Sequence, residues 1–114
     1  MGQFAEAEIV VIFNDKEQTK IFGEIIKNFK EELTKRFEAE GQDTDFDVNI
    51  DKVEIGKKDV RINLSSNRVQ NTEWQCDQIS DIAKKEFGKF IDEFDCTITT
   101  PYGYIWWDAD EIEN

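Results

Sequence analysis

Asp45-Phe46-Asp47-Val48-Asn49-Ile50-Asp51, continued by Lys52-Val53-Glu54-Ile55, Gly56-Lys57-Lys58-Asp59 and Val60-Arg61-Ile62-Asn63-Leu64, is the stretch that sets the fold. Residues 45–51 alternate strictly, which predicts a half-buried strand with Phe46, Val48 and Ile50 inward. Past Lys52 the apolar parity moves to Val53 and Ile55, so a bulge is expected near 51–52. Gly56-Lys57-Lys58-Asp59 is turn chemistry, and Val60, Ile62 and Leu64 supply the returning strand. The chain therefore carries a hairpin at its middle.

On the N-terminal side, residues 6–13 form a β-rich run. Ala7, Ile9, Val11 and Phe13 share one face, with Val10 and Ile12 apolar on the other, as expected of a central strand. Asn14 and Asp15 are helix-start residues, and Asn14 with Glu17 has capping-box spacing. Phe22, Ile25, Ile26, Phe29, Leu33 and Phe37 recur at helical spacing, predicting one helix over 16–40 with Gly41 as its stop.

On the C-terminal side, Thr72 and Gln75 form a second capping box ahead of a stripe of Ile79, Ile82, Ala83, Phe87, Phe90, Ile91 and Phe94. Cys96 and Ile98 begin a further strand. Thr100-Pro101-Tyr102-Gly103 is a tight turn, and Tyr104–Trp107 returns as a short fifth strand before an acidic tail at 108–114. This geometry sets Cys76 and Cys96 at opposite ends of one helix, about 27 Å apart, as two core thiols without a bridge. The order β-α-β-β-α-β, with an extra β at the end, resembles the ferredoxin-like split βαβ plait, an α+β fold with two helices on one face of an antiparallel sheet. Residues 1–114 are expected to form a single domain.

Composition narrows function mostly by exclusion. The chain holds 26 Asp and Glu against 14 Lys and Arg, a net charge of −12, and no His. Without His, Ser-His-Asp, Cys-His and His-based zinc chemistry are ruled out. There is no P-loop and no G-x-G-x-x-G. Cys76 near a helix start is read as an inert thiol beside Glu73 and Asp77. Arg61-Ile62-Asn63-Leu64 lacks the aromatics of an RNA-recognition strand, and the charge opposes nucleic acid and anionic membrane. No secretory signal and no membrane-length apolar run is visible. A cytoplasmic, non-enzymatic protein without a cofactor is expected, in host cytoplasm if phage-encoded.

The acids are unevenly placed, because residues 15–40 are nearly balanced in charge and 56–71 are net positive. Three acidic sets remain: Asp45, Asp47 and Asp51 as a ladder on an edge strand; Asp77 and Asp81 on the second helix; and Asp108, Asp110 and Glu111 in the tail. The plainer explanation of the ladder is protection of a sheet edge. The tail follows Tyr102, Tyr104, Trp106 and Trp107, residue types that anchor interfaces, though for some of these rings the plainer role is to cap the core or cover Val10 and Ile12 on the open face of the sheet. Asp43, Asp45, Asp47 and Glu54 match part of an EF-hand calcium loop, but Val48 stands where that loop needs Gly.

Small size, strong acidity and the aromatic–acidic C-terminus are similar in character to DNA-mimic proteins of phages and mobile elements, which block host nucleases or CRISPR effectors. That resemblance implies a basic, nucleic-acid-binding protein as partner, met by the twelve residues of the ladder, helix, aromatic and tail sets. Two alternatives stand beside it. One is a module that homodimerises or binds a small ligand through its open sheet face, with Val10, Ile12 and the late aromatics at the interface. The other is a divalent-cation binder at 43–54.

Overall fold

The computed structural model describes residues 4–101 and 103–107, of which 104–107 are described by their backbone alone. The elements in order are β1 (Ala5–Phe13), α1 (Lys16–Lys27), α2 (Phe29–Ala39), β2 (Ile50–Ile55), β3 (Asp59–Ser66), α3 (Val69–Phe87), a 3₁₀ turn at Gly88–Phe90, β4 (Ile91–Thr100) and β5 (Gly103–Trp107). The strands form one antiparallel sheet in the order β2-β3-β1-β4-β5. β1 lies between β3 and β4, so each helical connection returns the chain to the sheet with one strand between the strand it left and the strand it enters. The expected fifth strand is present as backbone pairing of β5 to β4.

β1 sets the layering. Ala5, Ala7, Ile9, Val11 and Phe13 are buried, while Glu6 and Glu8 are exposed. The inward row meets the helices, and Phe13, Phe22 of α1 and Phe87 of α3 close a triangle of rings with centroids 5.3–6.2 Å apart, in the tilted and edge-on geometry that aromatic pairs favour. Val60, Ile62, Leu64, Cys96 and Ile98 complete the sheet side of a single core, and Ile26, Phe29, Leu33, Cys76, Ile79 and Ala83 its helical side. Among the described residues, no helix is long and apolar enough to cross a membrane.

The predicted helix over 16–40 is two helices. At Asn28 the backbone leaves helical geometry (φ −111°, ψ 36°), and the Asn28 amide Nδ2 donates to the Glu24 carbonyl at 3.1 Å. A short amide side chain that takes its own helix's carbonyl competes with the backbone ladder. The N-cap is Asp15, which accepts from the Gln18 N–H at 3.0 Å; the Asn14–Glu17 box does not form, because Asn14 Nδ2 donates to Lys89 O and to Asp92 Oδ1 instead. Gly41 is the stop, at φ 69°. Its N–H donates to Glu38 O, and the Gln42 N–H to Phe37 O, a Schellman closure that needs the left-handed conformation.

The predicted strand over 45–51 begins only at Ile50, and residues 42–49 have no regular structure. Their alternation is nonetheless used. Phe46 packs between Phe37 and Trp74, with centroids 5.1 and 5.4 Å away. Side chains of α3 take the backbone groups that a strand would have used for pairing: Gln75 Oε1 accepts from Asn49 N–H at 2.9 Å, and Asn71 Nδ2 donates to Asp47 O at 3.1 Å. Gln75 is fully buried, and its Nε2 also donates to Ser65 O and Asn71 Oδ1. The bulge foreseen near 51–52 is present, as a register shift between Ile50 and Lys52.

Thr72 and Gln75 do not cap the last helix, which starts earlier, at Val69. Thr72 Oγ1 donates to Ala5 O, pinning the helix to the start of β1. The stripe assigned through Phe94 ends at Phe87, and Ile91 and Phe94 belong to β4. The spacing misleads because a shift of register opposite Ile12 and Phe13 moves the inward parity of β4 from Ile91 to Phe94, Cys96 and Ile98. This correction also reverses the expectation for the cysteines. From Cys76 to the helix end at Phe87 the chain descends about 16 Å, and from Ile91 to Cys96 the strand climbs back about 16 Å. The two sulfurs therefore meet at the same height, 3.4 Å apart and buried.

Gly23 sits where α1 crosses β2, and a Cβ there would overlap Cγ1 and Cδ1 of Ile55. Gly23→Ala should destabilise the protein by about 1–2 kcal/mol despite its better helix propensity, and Ile55→Ala in the same chain should recover part of that loss; urea melts of the four species give the coupling. Gln75→Leu strands the Asn49 N–H and the Ser65 carbonyl, so a loss of about 2–4 kcal/mol is expected, with faster hydrogen exchange at Asn49.

Candidate protein-binding face

Antiparallel register places directly opposed residues on the same face of a sheet. On the face turned away from the helices, Glu54, Arg61, Val10 and Asp95 form one row across β2, β3, β1 and β4. Asp59, Ile12 and Glu93 form the row on one side of it. On the other side Lys52, Asn63, Glu8 and Thr97 are in line, then Ser65, Glu6 and Thr99. Glu6 and Glu8 on β1 continue into Asp95 and Glu93 on β4, one residue per row, as a diagonal acidic strip of steps about 6.7 Å along the strand direction. All four residues are exposed.

The basic residues on this face are committed elsewhere. Lys52 Nζ pairs with Glu54 at 3.5 Å, and Arg61 Nε with Asp59 at 3.7 Å. Both pairs lie toward the β2 side. Among the described residues no ion pair forms to Glu6, Glu8, Glu93 or Asp95. Asp51, at the β2 bulge, joins Glu6, Glu8, Asn63, Thr97 and Thr99 around a shallow hollow of about 290 Å³. Val10 and Ile12, half-buried, are the apolar residues between the acids.

Of the three sets singled out in the sequence, the ladder and the helix pair do not converge. Asp45 and Asp47 are exposed on the irregular segment beside α2 and α3, rather than on a sheet edge, so edge protection does not account for them. Of the two edge strands, β2 carries Asp51, Lys52 and Glu54 as its exposed residues, and mixed charges there do discourage edge pairing. Asp77 and Asp81 are exposed on α3, on the helical side. Asp81 borders a groove between α2 and α3 in which Arg36 is bound by Glu86 and by Glu32. The hydrogen bond to Glu86 pushes the Arg36 guanidinium above its ordinary value, against the effect of burial. Charge in this groove is thus largely compensated. Asp51 alone of the ladder reaches the open face.

Tyr104 and Trp106 take register positions opposite Thr99 and Thr97 on β4, in line with Glu6 and Glu8. Trp107 is opposite Cys96. Tyr102, Asp108, Asp110 and Glu111 lie outside the described residues. For the calcium reading, Glu54 is in β2 beside Lys52, and Asp43 Oδ1 accepts from the Asp45 N–H; among the described residues no group of three or more acidic or cysteine side chains is gathered closely enough to hold a metal ion.

Sequence reading passed over the four acids of the strip. For β1 the signal was available: Ala5-Glu6-Ala7-Glu8-Ile9 alternates, and its outward positions are acidic before they become apolar at Val10 and Ile12. For β4 the signal was hidden, because Glu93 was assigned to a helix that ends six residues earlier. No protein-family model matches the chain, and no curated protein matches it.

Proposed function

We propose that this chain is a non-enzymatic module that binds a basic protein through the open face of its sheet. In its most concrete form it is a DNA-mimic inhibitor, of the anti-CRISPR or anti-nuclease type, that occupies the nucleic-acid-binding surface of its target in the cytoplasm. The observation that carries this reading is the strip Glu6, Glu8, Asp95 and Glu93, which forms no ion pair among the described residues and of which Glu6 and Glu8 are in line with the backbone positions of Tyr104 and Trp106. The strand order, with β1 between β3 and β4 and β2 outside β3, supports a ferredoxin-like plait. In proteins of that architecture the face opposite the helices is free to dock a partner. Here it would present carboxylates where a nucleic-acid-binding plait presents bases and aromatics.

The strip alone supplies about half the linear charge density of one DNA strand, whose phosphates recur every ~3.4 Å along the axis. Asp51 beside it, and the acids after Trp107 in the sequence, are the natural supplements. In this mechanism the carboxylates steer encounter with Lys and Arg surfaces, and apolar and aromatic groups supply the desolvated contacts that hold the complex. Homodimerisation through the same face is the weaker reading. A twofold axis would bring acidic strips together around Val10 and Ile12, and like charges across an interface oppose association.

The test is a series of competition assays in which the protein displaces DNA from purified nucleases and CRISPR effectors. Association should slow steeply as salt rises, and the variant Glu6→Gln/Glu8→Gln/Glu93→Gln/Asp95→Asn should bind about 10–100-fold more weakly, while Asp77→Asn/Asp81→Asn leaves binding nearly unchanged. An affinity insensitive both to salt and to the four-site variant overturns the assignment of this face.

A further inference from the structure

Cys76 and Cys96 come from elements that no local sequence signal links, and the fold brings their sulfurs to 3.4 Å. Cys76 is in the second turn of α3, and Cys96 is at mid-strand in β4 beside Ile9 of β1. Relative exposures are 0% and 1%, and both thiols are free. They stand at the contact between the longest helix and the sheet. Thiol–thiol contact adds little to packing that two aliphatic side chains would not supply, whereas a bond between these atoms would tie α3 to β4.

We propose that Cys76 and Cys96 are an internal dithiol that closes to a disulfide under hydroperoxide, clamping α3 to the sheet. One sulfur attacks the peroxide oxygen and becomes a sulfenic acid as the alcohol, or water from hydrogen peroxide, leaves. The second sulfur attacks that sulfenic sulfur and expels water. Two thiols and one hydroperoxide thus give one disulfide, one alcohol and one water, with two electrons passing from the sulfurs to the peroxide. The sulfurs must move closer by about 1.4 Å to reach bonding distance, a shift within the range of rotation about the two Cα–Cβ bonds and a small slide of the helix.

The site favours a slow, selective reaction. The hydrogen bond to Cys96 and then burial hold the Cys76 thiol well above its ordinary value, with Asp77 and Glu73 adding to the effect. Little thiolate is present in the closed state, so attack waits on local opening of the α3–β4 contact. A small peroxide reaches such a site more readily than a bulky disulfide does. Once one sulfur is oxidised, its partner is already in contact, which favours the disulfide over further oxidation. This clamp is independent of the binding face, since neither cysteine reaches the open side of the sheet.

The experiment treats the folded, reduced full-length chain with hydrogen peroxide, quenches with iodoacetamide and measures intact mass and non-reducing peptide maps. A chain lighter by two hydrogens, unalkylated, with a Cys76–Cys96 linked peptide, is expected. The link closes a loop with a sequence separation of 20, so the oxidised protein should melt roughly 10 °C or more above the reduced one and return on adding dithiothreitol. Cys76→Ala and Cys96→Ala should show no such rise; because each removes a buried side chain and lowers stability by itself, the decisive comparison is oxidised against reduced wild type. Sulfinic acid on one cysteine, a link between two chains, unoxidised thiols after prolonged treatment, or a link without a rise in melting temperature each overturns the clamp.

Discussion

The central position of β1 is the constraint from which the rest follows. A strand paired on both sides has no freedom of register, because slipping by one residue exchanges its two faces. With β3 and β4 both antiparallel to it, the inward row of Ala5, Ala7, Ile9, Val11 and Phe13 is fixed against the helices. Small residues at its start admit the close approach of α3, where Thr72 bonds to Ala5. The bulk of Phe13 at its end fills the space between Phe22 and Phe87. The same two-residue period leaves Glu6 and Glu8 no position but the open face. The hydrophobic core and the acidic strip are therefore two consequences of one register, and the second needs no energetic contribution of its own.

Such a strip is cheap to maintain. Unit charges about 6.7 Å apart in water repel by less than about 1 kcal/mol before salt screening. Four of them on exposed strand positions subtract little from stability, while their summed field extends over the whole face. The basic residues could have quenched that field but do not, since Lys52 and Arg61 are held by Glu54 and Asp59 on the β2 side. On the helical side the opposite holds: Arg36 is clasped by Glu32 and Glu86 in the groove that Asp81 borders. Net charge alone therefore says little about where a partner would bind. The pairing of each base decides which acids remain to act at a distance.

The sequence made some of this legible and concealed the rest for identifiable reasons. β1, the Gly56–Asp59 turn, the bulge near Lys52 and the stop at Gly41 were all readable because local chemistry determines them. Periodicity failed where a tertiary partner competed for the same backbone. Residues 45–49 have a strand's alternation, and Phe46 and Val48 do turn inward, but Gln75 and Asn71 from a helix more than twenty residues later satisfy the backbone groups that a neighbouring strand would need. Alternation reports which side chains are buried; it does not report what the intervening amides bond to. The acids Asp45 and Asp47 were assigned to an edge on the strength of that alternation, and with the strand gone they lost their place in the candidate site.

The segment from Phe87 to Ile98 failed for a different reason. Phe87, Ile91 and Phe94 fit a helical stripe, and Phe94, Cys96 and Ile98 fit a strand, so one short stretch satisfies both periods. The ambiguity is resolved by Gly88, which follows the last helical residue, and by hydrogen bonds around Asn14: its N–H reaches Phe90 O, and its side chain reaches Lys89 O and Asp92. These fix the turn beside the far end of β1 and force the chain to reverse there. Turning after Phe87 rather than Phe94 leaves eleven helix residues beyond Cys76 and five strand residues before Cys96. Because a helix residue rises about 1.5 Å and a strand residue about 3.3 Å, eleven residues down and five residues up arrive at the same level. The meeting of Cys76 with Cys96 is thus a product of where the chain turns, and any change that moved the turn by even one residue would separate the two sulfurs.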